Sequence, residues 1–551
     1  MAIVRSQCGQ CAVGCGIRVL TGEDRQLRIE GDATHPANGG LLCARARVLE
    51  DSVDLDGRLL DPLVHGRRQS WDRVIAQLAR RLSAILARHG PGSIALHVGG
   101  GLLTEDYYVA NKLMKGFFGS AHIHAPWRGG LAELQRAAYG EDVMPAACED
   151  IGRAGVILLL GATISRDYPV LIDRVQAARA DGARLIHVAP AGEGDALEAD
   201  LHLPVAQDSI ARLIGGLLLH CYDTGLVDPD WLTHGVAVPP GYWDALRRGH
   251  DIWSVARGCG LPPASIRAFY ELWAADGRAL TLSSAADDGA SSAILNLHLA
   301  TGRIGRPGAA PFLIGGGANG MGAREVGCKA DSLAAHMGFD ADALARTARF
   351  WGARNMVQET GGLEGEALLE AMRDGRVKAL WSIGADAGAA PWLTEARALV
   401  PLSIRATDRA EPDATGWTFQ LPSAAWIEKD GTLTGMDRLI SRQRRLLDLP
   451  GAARPDWWML TKVAQAMGWN DAFHYEWAAD IYREHVRLTA YQNDGMRLLN
   501  LKRHAPISNP AYEELTPWRW GELPFDEGCF PTPDGRARLL PVGDQPDAAM
   551  S

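Results

Sequence analysis

The stretch Ser6–Gly16, "SQCGQCAVGCG", carries three cysteines, Cys8, Cys11 and Cys15. A fourth, Cys43, follows alone, so the spacing is Cys-x2-Cys-x3-Cys-x27-Cys. Four of the chain's nine cysteines therefore fall in its first 43 residues. Three close cysteines with one distant partner suit a [4Fe–4S] cluster. Zinc is the nearest rival, but it favours a second Cys-x2-Cys pair, and none is present. Gly9, Gly14 and Gly16 let the backbone wrap closely around such a group. The other cysteines, Cys148, Cys221, Cys259, Cys328 and Cys529, are scattered and read as small core or loop residues.

Outward from this loop the composition is that of a globular protein. The chain has 551 residues, 47% hydrophobic and 22% charged, with a net charge of −10. That length suggests three or four domains or subdomains. The charge gives no reason to expect nucleic acid as a partner. No apolar run is long enough for a membrane span. The first cysteine stands too near the start for a secretory leader, and no twin-arginine signal precedes it, so a cytoplasmic location is expected.

From about residue 70 to 335, short apolar runs alternate with helical periods. "SIALHVG" (Ser93–Gly99), "GVILLLG" (Gly155–Gly161), "RLIHVAP" (Arg184–Pro190) and "ALTLSSA" (Ala279–Ala285) read as buried strands. Tyr168–Asp181 and Asp208–Thr224 between them are amphipathic. A second set follows in "VKALWSIGA", "VPLSIRATD" and "GWTFQLPS". Alternation of this kind predicts parallel α/β sheets joined by right-handed crossovers. Leu313–Gly327, "LIGGGANGMGAREVG", is expected as a loop. Beyond about residue 440 the chain is rich in Trp and Pro, with one helix over Trp457–Met467. Ser441–Leu447, "SRQRRLL", reads as a solvated basic loop.

The cysteine pattern is followed by "GDATHPANGGLLCARA", "DGRLLDPL" and "SWDRVIAQLARRL". Further on come "GGLLTEDYYVANKLMKGFFGS", "NLHLATGRIGRPGAAPF", "ANGMGAREVG", "LPSAAWIEKDGTLTGMDRLISRQR" and "FPTPDGRARLLPV". Together these resemble the molybdopterin oxidoreductase family, and within it the assimilatory nitrate reductases, over nearly the whole chain. The formate dehydrogenases belong to the same family. The resemblance implies a small N-terminal iron–sulfur domain and two interleaved parallel-sheet α/β domains. These are expected at 1–57, at 58–135 with 335–540, and at 136–334, with 541–551 as a frayed tail. It further implies that Cys8, Cys11, Cys15 and Cys43 hold the cluster, and that a molybdenum bis(molybdopterin guanine dinucleotide) lies beyond it.

Four departures from the family pattern bear on that second cofactor. At the molybdenum-ligand position this chain has Trp127, whose indole offers no lone pair to a metal. The lysine that follows the fourth cysteine in relatives is Arg45, a planar fork in place of a point charge. Ala189 and Ala191 stand where an aspartate and an arginine grip guanine. Gly384-Ala385-Asp386-Ala387, Gly435, Leu439 and Gly317 likewise replace polar family residues. Lastly, the sequence ends soon after Arg538, so the family's C-terminal barrel is expected to be absent. Gly161, Asn319, Met321, Gly322, Arg324 and Glu325 keep the pattern on the pterin side. His122, His124, Arg128 and Asp167 offer a new anion site at most, and are read first as structural.

Three readings follow. The preferred one is an iron–sulfur electron-transfer protein or subunit that no longer holds molybdenum, akin to the large iron–sulfur subunit of respiratory complex I. It would work with a redox partner or within a reductase complex. The second is an active molybdopterin oxidoreductase acting on nitrate or a similar oxyanion. The third is a structural subunit with a vestigial cluster.

Overall fold

The computed structural model describes residues 2–22, 26–51, 53–125, 130–192, 197–284, 287–358, 361–384, 389–410 and 416–542. The chain divides into two compact units, Met1–Arg128 with Gly316–Trp520, and Gly129–Gly315 with Gly521–Ser551. The inserted unit thus starts and ends earlier than the 136–334 read from sequence. The chain also returns to it, because the strand Ala537–Arg538 pairs in parallel with Val236–Ala237. Leu540 N and O seal that return on the Asn296 carboxamide.

In the first unit, the strands Ile94–Val98, Ile123–His124, Ala379–Ile383, Leu402–Thr407 and Phe419–Pro422 run parallel. Numbered along the chain, they lie in the order 2-1-3-4-5, with Leu63–Val64 and Arg67–Arg68 antiparallel at one edge. Every residue of Ile94–Val98 and Ala379–Ile383 is buried, as strands covered on both faces require. The helix Trp71–His89 buries Val74, Leu78 and Leu82 at helical spacing. Those three share a core with Leu96, Phe117, Trp381 and Trp457. In this order the topological switch falls between Ile94–Val98 and Ala379–Ile383, the place where open α/β sheets receive ligands. Gly99 lies there and donates its N–H to Ile383 O at 2.8 Å.

In the second unit, Leu201–Pro204, Arg184–Ala189, Val156–Leu160, Ala279–Ser283 and Ala310–Leu313 form an all-parallel sheet of order 3-2-1-4-5. Its switch point lies between Val156–Leu160 and Ala279–Ser283, beside Gly161 and Ser284. The expected helices are Pro169–Ala180 and Ile210–Asp223. The parallel α/β class read from sequence is present, and the described residues contain no closed barrel. No helix among them is long and apolar enough to cross a membrane.

Two sequence expectations are corrected. The Gly-rich stretch 313–327 is not all loop, since Gly320–Glu325 is helical behind Asn319, which takes the left-handed φ of 54° that starts it. Ser441–Gln443 is not solvated but lies buried in the strand Leu439–Gln443, which pairs with Gly431–Thr434 and Trp518–Arg519. The Arg442 side chain is fully buried because its guanidinium lies over the Tyr512 ring and reaches Asp430. A basic run can enter a core when each charge finds a partner there.

Candidate functional site

The cysteine loop is the connection of a hairpin. Ala2–Gln7 pairs antiparallel with Gly16–Thr21, ending at Gln7 opposite Gly16, and Cys8–Cys15 joins them. Cys8 N–H donates to Cys15 O at 2.9 Å, which closes the loop at its neck. Gly14 takes φ +64°, and a Cβ there would come within 2.9 Å of Leu433. A Cβ on Gly16 would meet the His35 ring at 2.3 Å. The segment that brings Cys43 is pinned to the same neck. Gly16 N–H donates to Asn38 Oδ1 at 2.9 Å, while Asn38 Nδ2 donates to Gly16 O and Leu41 O. Gly31 and Gly40 approach so closely that a Cβ on Gly31 would stand 2.0 Å from Gly40 O.

Cys8 and Cys15 are buried, whereas Cys11 and Cys43 reach the surface. Burial pushes the Cys8 thiol up to about 12, with the Cys11 and Cys43 charges adding and Arg45 opposing. Cys11 is raised by the same burial, and Arg45 again opposes. Cys8, Cys11, Cys43 and the Arg45 guanidinium therefore share one electrostatic environment, to which the neck bond ties Cys15. Among the described residues, no three Cys, His, Asp or Glu side chains gather to hold a metal ion. A zinc site needs its four donors at about 2.0–2.3 Å from one ion. Four cysteine thiolates are a soft donor set that fits an iron–sulfur cluster.

Behind the loop stands the three-stranded sheet that contains Ser441–Gln443. Met436 N–H donates to Ala12 O at 2.8 Å, and Trp426 Nε1 donates to Gln7 O at 2.9 Å. Ser6 Oγ and Gln7 N–H both donate to Gln443 Oε1. His35 Nε2 lies 3.0 Å from Ser441 Oγ, and burial lowers that imidazole to about 4.

The pterin-side residues divide between shape and chemistry. Asn319 is buried, and its carboxamide is taken up internally by Thr434 N at 2.7 Å and Leu102 O at 3.0 Å. Gly322 is glycine because a Cβ would stand 2.2 Å from Asn319 Oδ1. Met321 is buried, and its sulfur accepts from Arg324 Nη2 at 3.5 Å. The Arg324 guanidinium lies over the Gly316–Gly320 turn, 3.6 Å from where a Gly316 Cβ would be. In the second unit, Gly161 has φ +123°, and a Cβ would meet Ser284 Oγ at 2.7 Å. Backbone cradles therefore remain at the carboxyl ends of both sheets.

At the positions where the resemblance expects side chains that read a guanine dinucleotide, the described residues are apolar or glycine. Ala189 ends its strand fully buried and offers no polar atom. Leu439 is buried in its strand. Gly435 has a packing reason, since a Cβ would press on Val13 O at 3.0 Å. Trp127, Arg128 and Ala385–Ala387 lie outside the described residues. His122 and His124 each accept a backbone N–H through Nδ1, from Leu363 and Gly365, as struts of the fold. Asp167 accepts from Thr163 and Arg166.

Sequence reading passed over one group. Glu105, within "LTEDYY", is a fully buried carboxylate held by Thr432 and Tyr512. Its only signal in the sequence was a pair of acids, Glu105 and Asp106, just ahead of the apolar and aromatic run Tyr107–Ala110.

Two parallel α/β units interleaved along the chain, one of them opened by a cysteine-bearing hairpin, define an α/β protein with a candidate metal-cluster head. Comparison with known proteins makes the class specific. Residues 58–466 match the molybdopterin oxidoreductase model, and residues 1–55 match the molybdopterin oxidoreductase Fe4S4 domain. The chain belongs to the molybdopterin oxidoreductase family. It is 37% identical to a nitrate reductase of Klebsiella oxytoca, over all of this chain and 65% of that one. It is 34% identical to a nitrate reductase of Shewanella frigidimarina, over 98% of this chain and 61% of that one. It therefore spans somewhat under two thirds of the length of these relatives. Among solved structures, acetylene hydratase from Pelobacter acetylenicus superposes with a TM-score of 0.75 at 16% identity, covering 97% of this chain and 77% of that one. This last likeness speaks for the fold alone.

Proposed function

We propose that this chain is an iron–sulfur electron-transfer protein or subunit, derived from a nitrate-reductase-like ancestor, that does not hold molybdenum. Cys8, Cys11, Cys15 and Cys43 hold a [4Fe–4S] cluster, which supplies one-electron chemistry when bound. Arg45 sets a positive charge beside two of the thiolates. Cys11 and Cys43, the two that reach the surface, form the edge through which a cytoplasmic redox partner or reductase complex exchanges electrons. The cluster domain is taken at about 1–57, at the start of the first compact unit.

One observation carries the reading. The cysteine loop is closely packed at Gly9, Gly14 and Gly16, while Ala189, where the resemblance expects an acid that grips guanine, is a buried methyl group. Losing hydrogen bonds at a buried site costs about 1–3 kcal/mol per group. The retained cradle at Gly161 favours the second reading, an active molybdopterin oxidoreductase acting on nitrate or a similar oxyanion.

Analysis of the protein purified without air separates the two. The first reading expects about four irons and four sulfides per chain with neither molybdenum nor pterin. Stoichiometric molybdenum with two pterins would overturn it. Iron that survives in Cys8→Ser and Cys43→Ser would overturn the ligand assignment.

A further inference from the structure

The sheet behind the cysteine loop has a second face. In the strand Gly431–Thr434, side chains alternate from one side to the other. Leu433 turns toward the loop, with its Cδ1 2.9 Å from where a Gly14 Cβ would be. Thr432 and Thr434 turn away from it, each to a buried acid. Glu105 accepts from Thr432 N and Thr432 Oγ1 at 2.8 and 2.9 Å, and from Tyr512 OH at 2.8 Å. Glu325 accepts from Thr434 Oγ1 at 2.8 Å and from Trp520 Nε1 at 2.6 Å. The first acid also lies against the start of this strand, since a Cβ on Gly431, a position on the Leu433 side, would stand 2.5 Å from Glu105 Oε2. One four-residue strand is thus a common wall that touches the cysteine loop through Leu433 and two buried carboxyls through its threonines.

We propose that Glu105 is a redox-linked proton site, taking up one proton as the cluster of the cysteine loop gains one electron and releasing it on oxidation. This rests on the cluster assignment under Proposed function. The electron comes from a one-electron donor and the proton from solvent, so the added negative charge is neutralised inside the same wall. In a low-dielectric interior a new charge is felt strongly by its neighbours. Arg45 is the cation on the loop side.

The surroundings of Glu105 poise it for this role. From the strand Leu439–Gln443, Arg442 lies 4.1 Å from the Tyr512 ring centre and shares its charge with Asp430 and Glu513. On the acid's own helix, Asp106 is committed to Lys429, which also holds Asp456. Tyr482 faces both acids, and His336 and Arg324 face Glu325. Burial raises Glu105 to about 7 against the Thr432 and Tyr512 bonds, so it sits near the change between its two states. Glu325 is raised by burial as well.

The test is a midpoint-potential titration of the purified protein between pH 6 and 9, with dithionite as reductant and the reduced cluster followed by electron paramagnetic resonance. In the wild type the reduction equilibrium should fall tenfold per pH unit above about pH 7, which is about 59 mV per unit for one electron, and flatten below it. Glu105→Gln should flatten the whole range, while Glu325→Gln should keep the slope. Tyr512→Phe removes one donor to the ionised form, so the break should move to higher pH with the slope intact. A pH-independent wild-type potential overturns the proposal, as does an undiminished slope in Glu105→Gln or a slope lost only in Glu325→Gln. Protein that binds no iron overturns it together with the cluster assignment, and iron analysis tells that failure from the others.

Discussion

Gly9 offers the sharpest test of how the cysteine loop is held. A methyl group there would fall 2.4, 2.5 and 2.7 Å from three atoms of the Trp426 indole. Contacts that short force one side to move. The indole is tethered by its Nε1–H to Gln7 O at 2.9 Å, on the strand that leads into the loop. Overpacking of this kind costs about 1–3 kcal/mol. Gly9→Ala should therefore lower the unfolding free energy of the first unit by that amount and reduce iron per chain. Trp426→Ala removes both the obstacle and the tether, so Gly9→Ala should cost almost nothing in that background. The coupling expected from this cycle is of order 1–2 kcal/mol, within the range for residues in contact. Guanidinium titration of the four proteins, with iron and sulfide assays on each, provides the measurement. An equal cost of Gly9→Ala with and without the indole would refute the packing argument, and so would a fully loaded, undiminished Gly9→Ala protein.

Two further outcomes follow from buried charges. Arg58 and Glu428 form a two-point ion pair at 3.1 and 2.7 Å with both side chains out of solvent, so Arg58→Met should cost about 3–5 kcal/mol by denaturant titration. Changing both partners to apolar residues should recover part of that loss; a single variant as stable as the wild type would contradict the pairing. His298 is buried between Thr281 Oγ1 and Arg303 O, and burial lowers its imidazole to about 3. A base depressed on folding contributes stability above its unfolded value near 6.5 that is lost as pH falls toward the folded value. The advantage of wild type over His298→Asn should shrink by about 2 kcal/mol between pH 7.5 and 5.0, at about 1.4 kcal/mol per unit below 6.5. A constant difference would rule out a neutral His298.

The sheets were legible because their strands are short apolar runs between turn residues. Gly155–Gly161 and Ser93–Gly99 each contain a fully buried strand, Val156–Leu160 and Ile94–Val98. The cysteine spacing was equally plain, since few other arrangements bring three thiols so near together. What escaped is chemistry settled by distant partners. Arg442 is five residues from Leu447 in a run that looks solvated, yet its place is decided by Tyr512 and Asp430. Asn319 looked like a ligand-side residue, yet its carboxamide is spent on Thr434 and Leu102. Glu105 carried no motif, and its importance comes from a strand more than three hundred residues away along the chain. Local pattern reports periodicity, but long-range pairing decides which polar groups a core accepts.

The Asn38 clamp has one more consequence. Bonds that gather the two cysteine segments include backbone amides and the Asn38 carboxamide. Part of the scaffold around the thiols therefore rests on bonds that the polypeptide makes with itself. Such a receptacle would let a cluster be supplied after synthesis, and replaced after oxidative loss, without the chain unfolding. Repair of an oxygen-sensitive cluster would then be a matter of supply and not of resynthesis.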